Sequence, residues 1–253
     1  MSHDANTGSA GKTGGFSLGR LLHSPLALPL IGLITVSVLM GLASDNFFSL
    51  NNIMNVLRQV SVVGILAVGM SFVILTGGID LSVGAVMALV GTLSAGMMVN
   101  MGLPAPVALL VGLLIGLGIG LANGVLVAWG RMPAIIVTLA TMGMARGLGL
   151  IYSGGYPISG IPSWISWFGV GRIGVVPVPV IVMVLIYAVA WVLLQRTAFG
   201  RHVYALGGNE TAARLSGVKT QRVKLAVYGI SGLTSALAAV ILTVAIIAAI
   251  LFF

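Results

Sequence analysis

Seven apolar stretches alternate with short polar breaks along the chain, approximately over residues 25–43, 53–75, 83–98, 104–128, 134–152, 175–194 and 225–253. A helix needs about 20 apolar residues to cross a hydrocarbon core about 30 Å thick, whereas a barrel strand needs about 10 in strict alternation. The runs have the first length and lack alternation. They predict an all-α integral membrane protein of about seven transmembrane helices. Residues 1–24, rich in Gly, Ser and Thr and without periodicity, read as a disordered tail. Residues 25–253 then form the transmembrane domain, interrupted by one hydrophilic island, residues 195–224, which holds six of the twelve basic residues.

Charge orients these spans. With the tail inside, the inner segments are the tail, 77–82, 129–133 and the island, and nine basic residues lie in or beside them. The outer side has Arg172, with Arg58 just within the second run. Basic residues resist translocation, so the N-terminus and the island are expected in the cytoplasm. Composition agrees, at 58% apolar and 6% charged residues. The net charge of +8 is better assigned to topology and anionic lipid than to nucleic acid. A basic start before the first run, with Gly41-Leu42-Ala43 as a cleavage site, also outlines a signal peptide. The run is long for that, and an uncleaved first span is expected.

Motifs for catalysis fail one by one. The tail's SAGKTGG lacks the glycine that a phosphate-binding loop needs five positions before Gly11, where Asn6 stands. Gly229-Ile230-Ser231-Gly232 has the outline of an intramembrane serine protease, but His3, His23 and His202 all lie in the tail or at the membrane surface. An aspartyl protease needs two carboxylates, and of the acids Asp80 alone is expected at depth. Without cysteine or a His/Asp/Glu cluster, no metal site is expected. An enzyme is not the reading, and no cofactor is expected.

Polar groups in apolar surroundings remain. Gly77 and Gly78 end one helix, and Asp80 with Ser82 can cap the next. Alternatively Asp80 lines a polar path, and both can hold together. Asn55, Arg58, Gln59, Asn123, Thr138, Thr141 and Arg146 lie within spans, where Thr and Asn commonly bond a neighbouring helix. Arg146, between Gly143 and Gly147, needs a carboxylate, helix-end carbonyls or water, and Asp80 is one such partner. Gly112, Gly116, Gly120 and Gly124 form a small-residue stripe for close packing. In the outer loop, Trp164, Trp167 and Phe168 suit an interfacial helix or a stack on a sugar ring. Within the island, Asn209 is a good N-cap and Gly217 a good terminator. The ETAARLS between them reads as a helix of about two turns, either resting on lipid or docking on a partner.

Three stretches carry a family likeness: LAVGMSFVILTGGIDLSVGAVMAL (66–89), NGVLVAWGRMPAIIVTLATMGMARGLGLIYSGGYPI (123–158) and FGRHVYALGGNETAARLSGVKTQRVKLAVYGISGLTSALAAVILT (199–243). They resemble the membrane permease subunits of bacterial ABC importers for ribose and related monosaccharides. The resemblance implies a partial type II importer permease fold in the bacterial inner membrane. It implies as partners an ABC ATPase subunit, a periplasmic sugar-binding protein, a second permease subunit (identical or not) and lipid. ATP would be used by the partner chain.

The resemblance also makes the island helix a coupling helix seated in a groove of the ATPase. Gly208, Asn209, Glu210, Ala212, Ala213, Arg214 and Gly217 carry it, with Thr211 where a second acid is common. Gly77, Gly78, Asp80, Ser82, Asn123, Thr138 and Arg146 are the expected pathway or helix-break residues. Family members continue past the segment matching 241–243 with further spans, whereas this chain stops at Phe253, so a C-terminally truncated permease is expected. An ion-coupled carrier using residues 77–80 and a non-transporting remnant are the alternatives.

Overall fold

The computed structural model describes residues 27–251, so the expected tail of residues 1–24 lies outside the described part. The chain divides into two compact units, Met1–Ile53 and Met54–Phe253. Each predicted apolar run carries a helix: α1 (Ala27–Ala43), α2 (Leu50–Leu75), α3 (Val83–Val99), α4 (Ala105–Ala128), α5 (Ala134–Ser153), α7 (Val178–Arg196) and α10 (Thr220–Leu251). Five of them are long and apolar enough to cross a membrane, while α1 and α3 have 17 residues each. Against the expected seven spans, five of the seven helices have spanning length among the described residues.

In the first unit, the turn after α1 is held by its own side chains. Asn52 Nδ2 donates to the Phe47 carbonyl at 2.8 Å, and the Phe47 and Phe48 rings meet edge to face at 5.0 Å.

The second unit is built around α10, on which α2 and α4 both press. The α4 glycine stripe does what small residues do in lipid, where helices associate through close packing. A Cβ at Gly120 would strike the Tyr228 carbonyl, and one at Gly124 would come 3.0 Å from the Leu225 Cα. The α10 side answers in kind, since a Cβ on Gly232 would strike the Gly116 carbonyl. On the other flank, a Cβ on Gly69 of α2 would come 2.9 Å from the Ser231 Cα. Val68, Phe72 and Val73 of α2 bury themselves against Val223, Val227 and Tyr228 of α10.

The outer loop carries a 3₁₀ turn, Ser163–Ile165, a short α6 (Ser166–Val170) and a two-stranded hairpin, β1 (Arg172–Ile173) with β2 (Val176–Pro177). Ile165 is buried among Ala95, Met98, Ala105 and Ala108, whereas Trp164, Trp167 and Phe168 remain exposed.

The island holds more helix than its pattern suggested. Before the short α9 (Glu210–Leu215) lies α8 (Ala198–Gly208), capped by Thr197, whose Oγ1 accepts from Gly200 N at 3.3 Å. Gly207 of α8 lies directly on the Leu75 carbonyl at the end of α2, leaving no room there for a side chain.

Candidate functional site

Two polar constructions dominate the second unit. The first is the break between α2 and α3. Gly77, at φ +77°, occupies the left-handed position that glycine adopts without steric cost. The Gly77 N–H donates to Ile74 O and the Gly78 N–H to Val73 O, the paired bonds of a Schellman terminus. Gly78 must also be small, because a Cβ there would come 2.8 Å from the Tyr228 hydroxyl. Through residues 79–82 the chain buries its polar side chains, Asp80 and Ser82, and leaves Ile79 and Leu81 exposed.

Asp80 is 2% exposed and fully clasped. Its Oδ1 accepts from the Ser82 N–H at 2.9 Å and the Ser82 hydroxyl at 2.6 Å, and its Oδ2 accepts from the Ser231 hydroxyl at 2.7 Å. The network continues, with Asn123 Nδ2 donating to Ser82 Oγ at 3.2 Å and Thr141 Oγ1 donating to Asn123 Oδ1 at 2.6 Å. One chain of hydrogen bonds thus joins the break to α4, α5 and α10. A buried carboxylate is tolerable only when such donors replace water.

Ser82 stands at the N-cap of α3, but its side chain makes no capping bond, because its hydroxyl is given to Asp80. Thr138, also buried, donates back to the Ala134 carbonyl at 2.9 Å, with the Ile79 carbonyl 3.4 Å away. Arg146 is not gathered here. It lies exposed on α5 and makes no ion pair with Asp80.

The second construction is α9. Asn209 Oδ1 accepts from the Ala212 N–H at 2.9 Å, satisfying a free donor of the first turn. At the other end Gly217 takes φ +86°, Gly217 N donates to Arg214 O and Val218 N to Ala213 O, a second Schellman terminus. Ala213 alone of the helix is buried; Ala212 and Arg214 are exposed, and Leu215 is 83% exposed. Glu210 does not pair with Arg214 one turn on. It meets Lys224 of α10, whose Nζ is 2.8 Å from Oε1.

A cavity of about 470 Å³ lies where the two constructions approach. Its wall takes Thr76, Gly77 and Gly78 from the break, Arg131 from the α4–α5 connection, Glu210 and Arg214 from α9, and Lys224 and Tyr228 from α10. Three of the four segments expected on one side of the membrane therefore meet around one cavity.

The sequence pattern does not single out Ser231, Tyr228 and Lys224 as working groups. Ser231 has no base to make it a nucleophile; its hydroxyl instead serves Asp80. A serine–glycine face on an apolar helix was the available signal. The spacing of Lys224, Tyr228 and Ser231, at intervals of four and three, places all three along one face of α10.

Residues 52–252 match the family model described as branched-chain amino acid transport system / permease component. The ribose import permease protein RbsC of Bacillus subtilis is 51% identical over 217 residues, covering 85% of this chain and 67% of that protein. The RbsC of Haemophilus influenzae is 43% identical over 240 residues, or 92% and 72% of the two chains. The autoinducer 2 import system permease protein LsrC of Yersinia pestis is 36% identical over 213 residues, or 84% and 60%. No solved structure matches.

Proposed function

The chain belongs to the branched-chain amino acid transport system / permease component family, and from that premise we propose that it is the permease subunit of an ATP-binding cassette importer for a ribose-like monosaccharide. It is a multi-pass protein of the inner membrane. Its relatives are import permeases rather than ion-coupled carriers, so the helix break at residues 77–80 is read as a moving part of an importer. ATP is hydrolysed by a separate subunit, and an external binding protein delivers the sugar.

The observation that carries this reading is α9, closed at both ends and attached to the transmembrane helices at two points. The chain entering it lies on the end of α2 through Gly207 and Leu75, and its first residue, Glu210, is tied to α10 through Lys224. A cytoplasmic ATPase seated on the exposed Ala212, Arg214 and Leu215 would push α8 against α2 and draw on α10. α10 holds Asp80 through Ser231, and α2 leads directly into the break that carries Asp80, so the movement would reach the break between α2 and α3.

Arg146 supports a second permease subunit. An exposed guanidinium within a spanning helix is costly against lipid and calls for protein or water around it. Gly143 and Gly147 beside it leave open space for a neighbouring helix.

The test makes Glu210→Gln and Gly217→Val, then measures ATPase co-purification and ATP-dependent ribose uptake. Loss of association in Gly217→Val and loss of uptake in both variants are expected; full association and uptake in both would end this reading.

A further inference from the structure

The cavity between the break and α9 has a charge that the transport of a neutral sugar does not require. Its wall presents three cations, Arg131, Arg214 and Lys224, against one carboxylate, Glu210. That carboxylate is already taken by Lys224 at 2.8 Å, and neither Arg131 nor Arg214 forms an ion pair among the described residues. Thr76, Thr220 and Gln221 add polar groups, the latter two from the positive N-terminal end of the long helix α10.

A second observation is independent of these charges. Tyr228 is 1% exposed, lies in the cavity wall beside Gly78, and its hydroxyl has no hydrogen-bond partner. Buried hydroxyls are ordinarily satisfied, so an unpaired one in the wall of a polar cavity marks a place where an acceptor is missing. Two unpaired guanidiniums, an ammonium, a helix N-terminus and a waiting hydroxyl are all donors. An anion with several acceptor oxygens answers them together, and guanidinium groups recognise phosphate oxygens in fork geometry.

We propose that this cavity is a binding site for a small phosphate-ester anion. The volume of about 470 Å³ leaves room for an organic group beyond the phosphate itself. An occupant would bridge Arg214 on α9, Arg131 on the α4–α5 connection and Tyr228 on α10, and would hold the coupling segment against the break. The site stands on the cavity alone; that its occupant arrives from the cytoplasm rests on the orientation proposed above.

The test uses the full chain in nanodiscs of phosphatidylcholine, which expose both faces, so binding is read independently of transport. Radiolabelled inorganic phosphate and ribose 5-phosphate are the probes, with unlabelled ribose as uncharged competitor. Saturable binding of the ester, undisturbed by ribose, is expected. Arg131→Asn, chosen because asparagine tolerates the φ of +52° at this position, should weaken it about tenfold. Tyr228→Phe, which keeps the ring and its packing, should weaken it several-fold, and unchanged unfolding midpoints show that both variants remain folded. Adding phosphatidylglycerol separates two sources of the same chemistry. Displacement of the ester identifies a lipid headgroup as occupant, and undiminished binding identifies a soluble ester. Absence of saturable binding up to about 10 mM, or binding indifferent to both substitutions, overturns the proposal. So does binding that vanishes when the ATPase subunit is attached, which would assign the cavity to an acidic side chain of that partner.

Discussion

Lys224 reaches across from α10 to Glu210 at the start of α9 with an Nζ–Oε1 distance of 2.8 Å, so the short helix is bound to the long one at its first residue. The pair is partly open to solvent, at 20% and 50% side-chain exposure, and its contribution to stability is about 0–1 kcal/mol. Its position gives it a different weight. On the face of α10 that carries Lys224, Tyr228 comes one turn later and Ser231 one turn after that.

Lys224→Gln is therefore expected to leave the unfolding midpoint nearly unchanged and the ATPase still attached. ATP-dependent uptake should fall about 2- to 30-fold, the range of a coupling change of about 0.5–2 kcal/mol. Uptake measured beside pull-down of the ATPase decides it. Unchanged uptake means the ion pair transmits nothing.

The second link is steric. Gly207 rests on the Leu75 carbonyl, and the contact is to backbone, which cannot rotate away. Gly207→Ala should force α8 away from the end of α2 at a cost of about 1–3 kcal/mol. Gly208→Ala, one residue on, meets open space and serves as the control. Thermal unfolding of the two variants in detergent should separate them clearly, and equal midpoints would show that α8 and α2 are not in register as described.

What was legible in the chain follows the range of the forces involved. The apolar runs announce seven helices because burial in lipid acts on each segment separately. Asn209 and Gly217 announce the ends of α9 because capping bonds close within three to five residues. Gly77 is legible for the same reason. By contrast α8 contains three glycines and has no strong helical preference of its own. It forms where Thr197 caps it and Val203 and Leu206 pack into the core around Phe72 and Val227. Asp80 and Ser231 are 151 residues apart, and no local pattern pairs them. The cavity draws on four separate stretches of chain, so its charge could not be read from any one of them.

The Asp80 clasp yields a measurable coupling. Ser231→Ala leaves Oδ2 without its donor in a buried setting, which costs about 1–3 kcal/mol. Asp80→Asn replaces a two-oxygen acceptor by an amide with one oxygen, which can satisfy only part of the same geometry. Because the two changes remove one interaction, their effects should not add. The double-mutant cycle is expected to return an interaction energy of about 0.5–3 kcal/mol from unfolding midpoints. Strict additivity would mean that the Ser231–Asp80 hydrogen bond carries no energy of its own.

The exposed face of α5 offers the sharpest distinction between lipid and a working interior. The chain has no cysteine, so a single introduced thiol reports its own surroundings. At Gly143 a Cβ meets nothing within 4 Å, and the residue lies one turn from the exposed Arg146. If water reaches this face, Gly143→Cys reacts with a membrane-impermeant maleimide in intact cells or inverted vesicles. Val184→Cys on α7, exposed but far from any charged side chain on its helix, is the lipid-facing comparison. Thiol reactivity requires the thiolate, which does not form in hydrocarbon, so this second variant should remain unlabelled. Labelling of Gly143→Cys beside silence of Val184→Cys is the expected pair of results. Equal silence in both variants would exclude a water-filled surrounding for Arg146 and leave a closely packed helix or lipid to cover it.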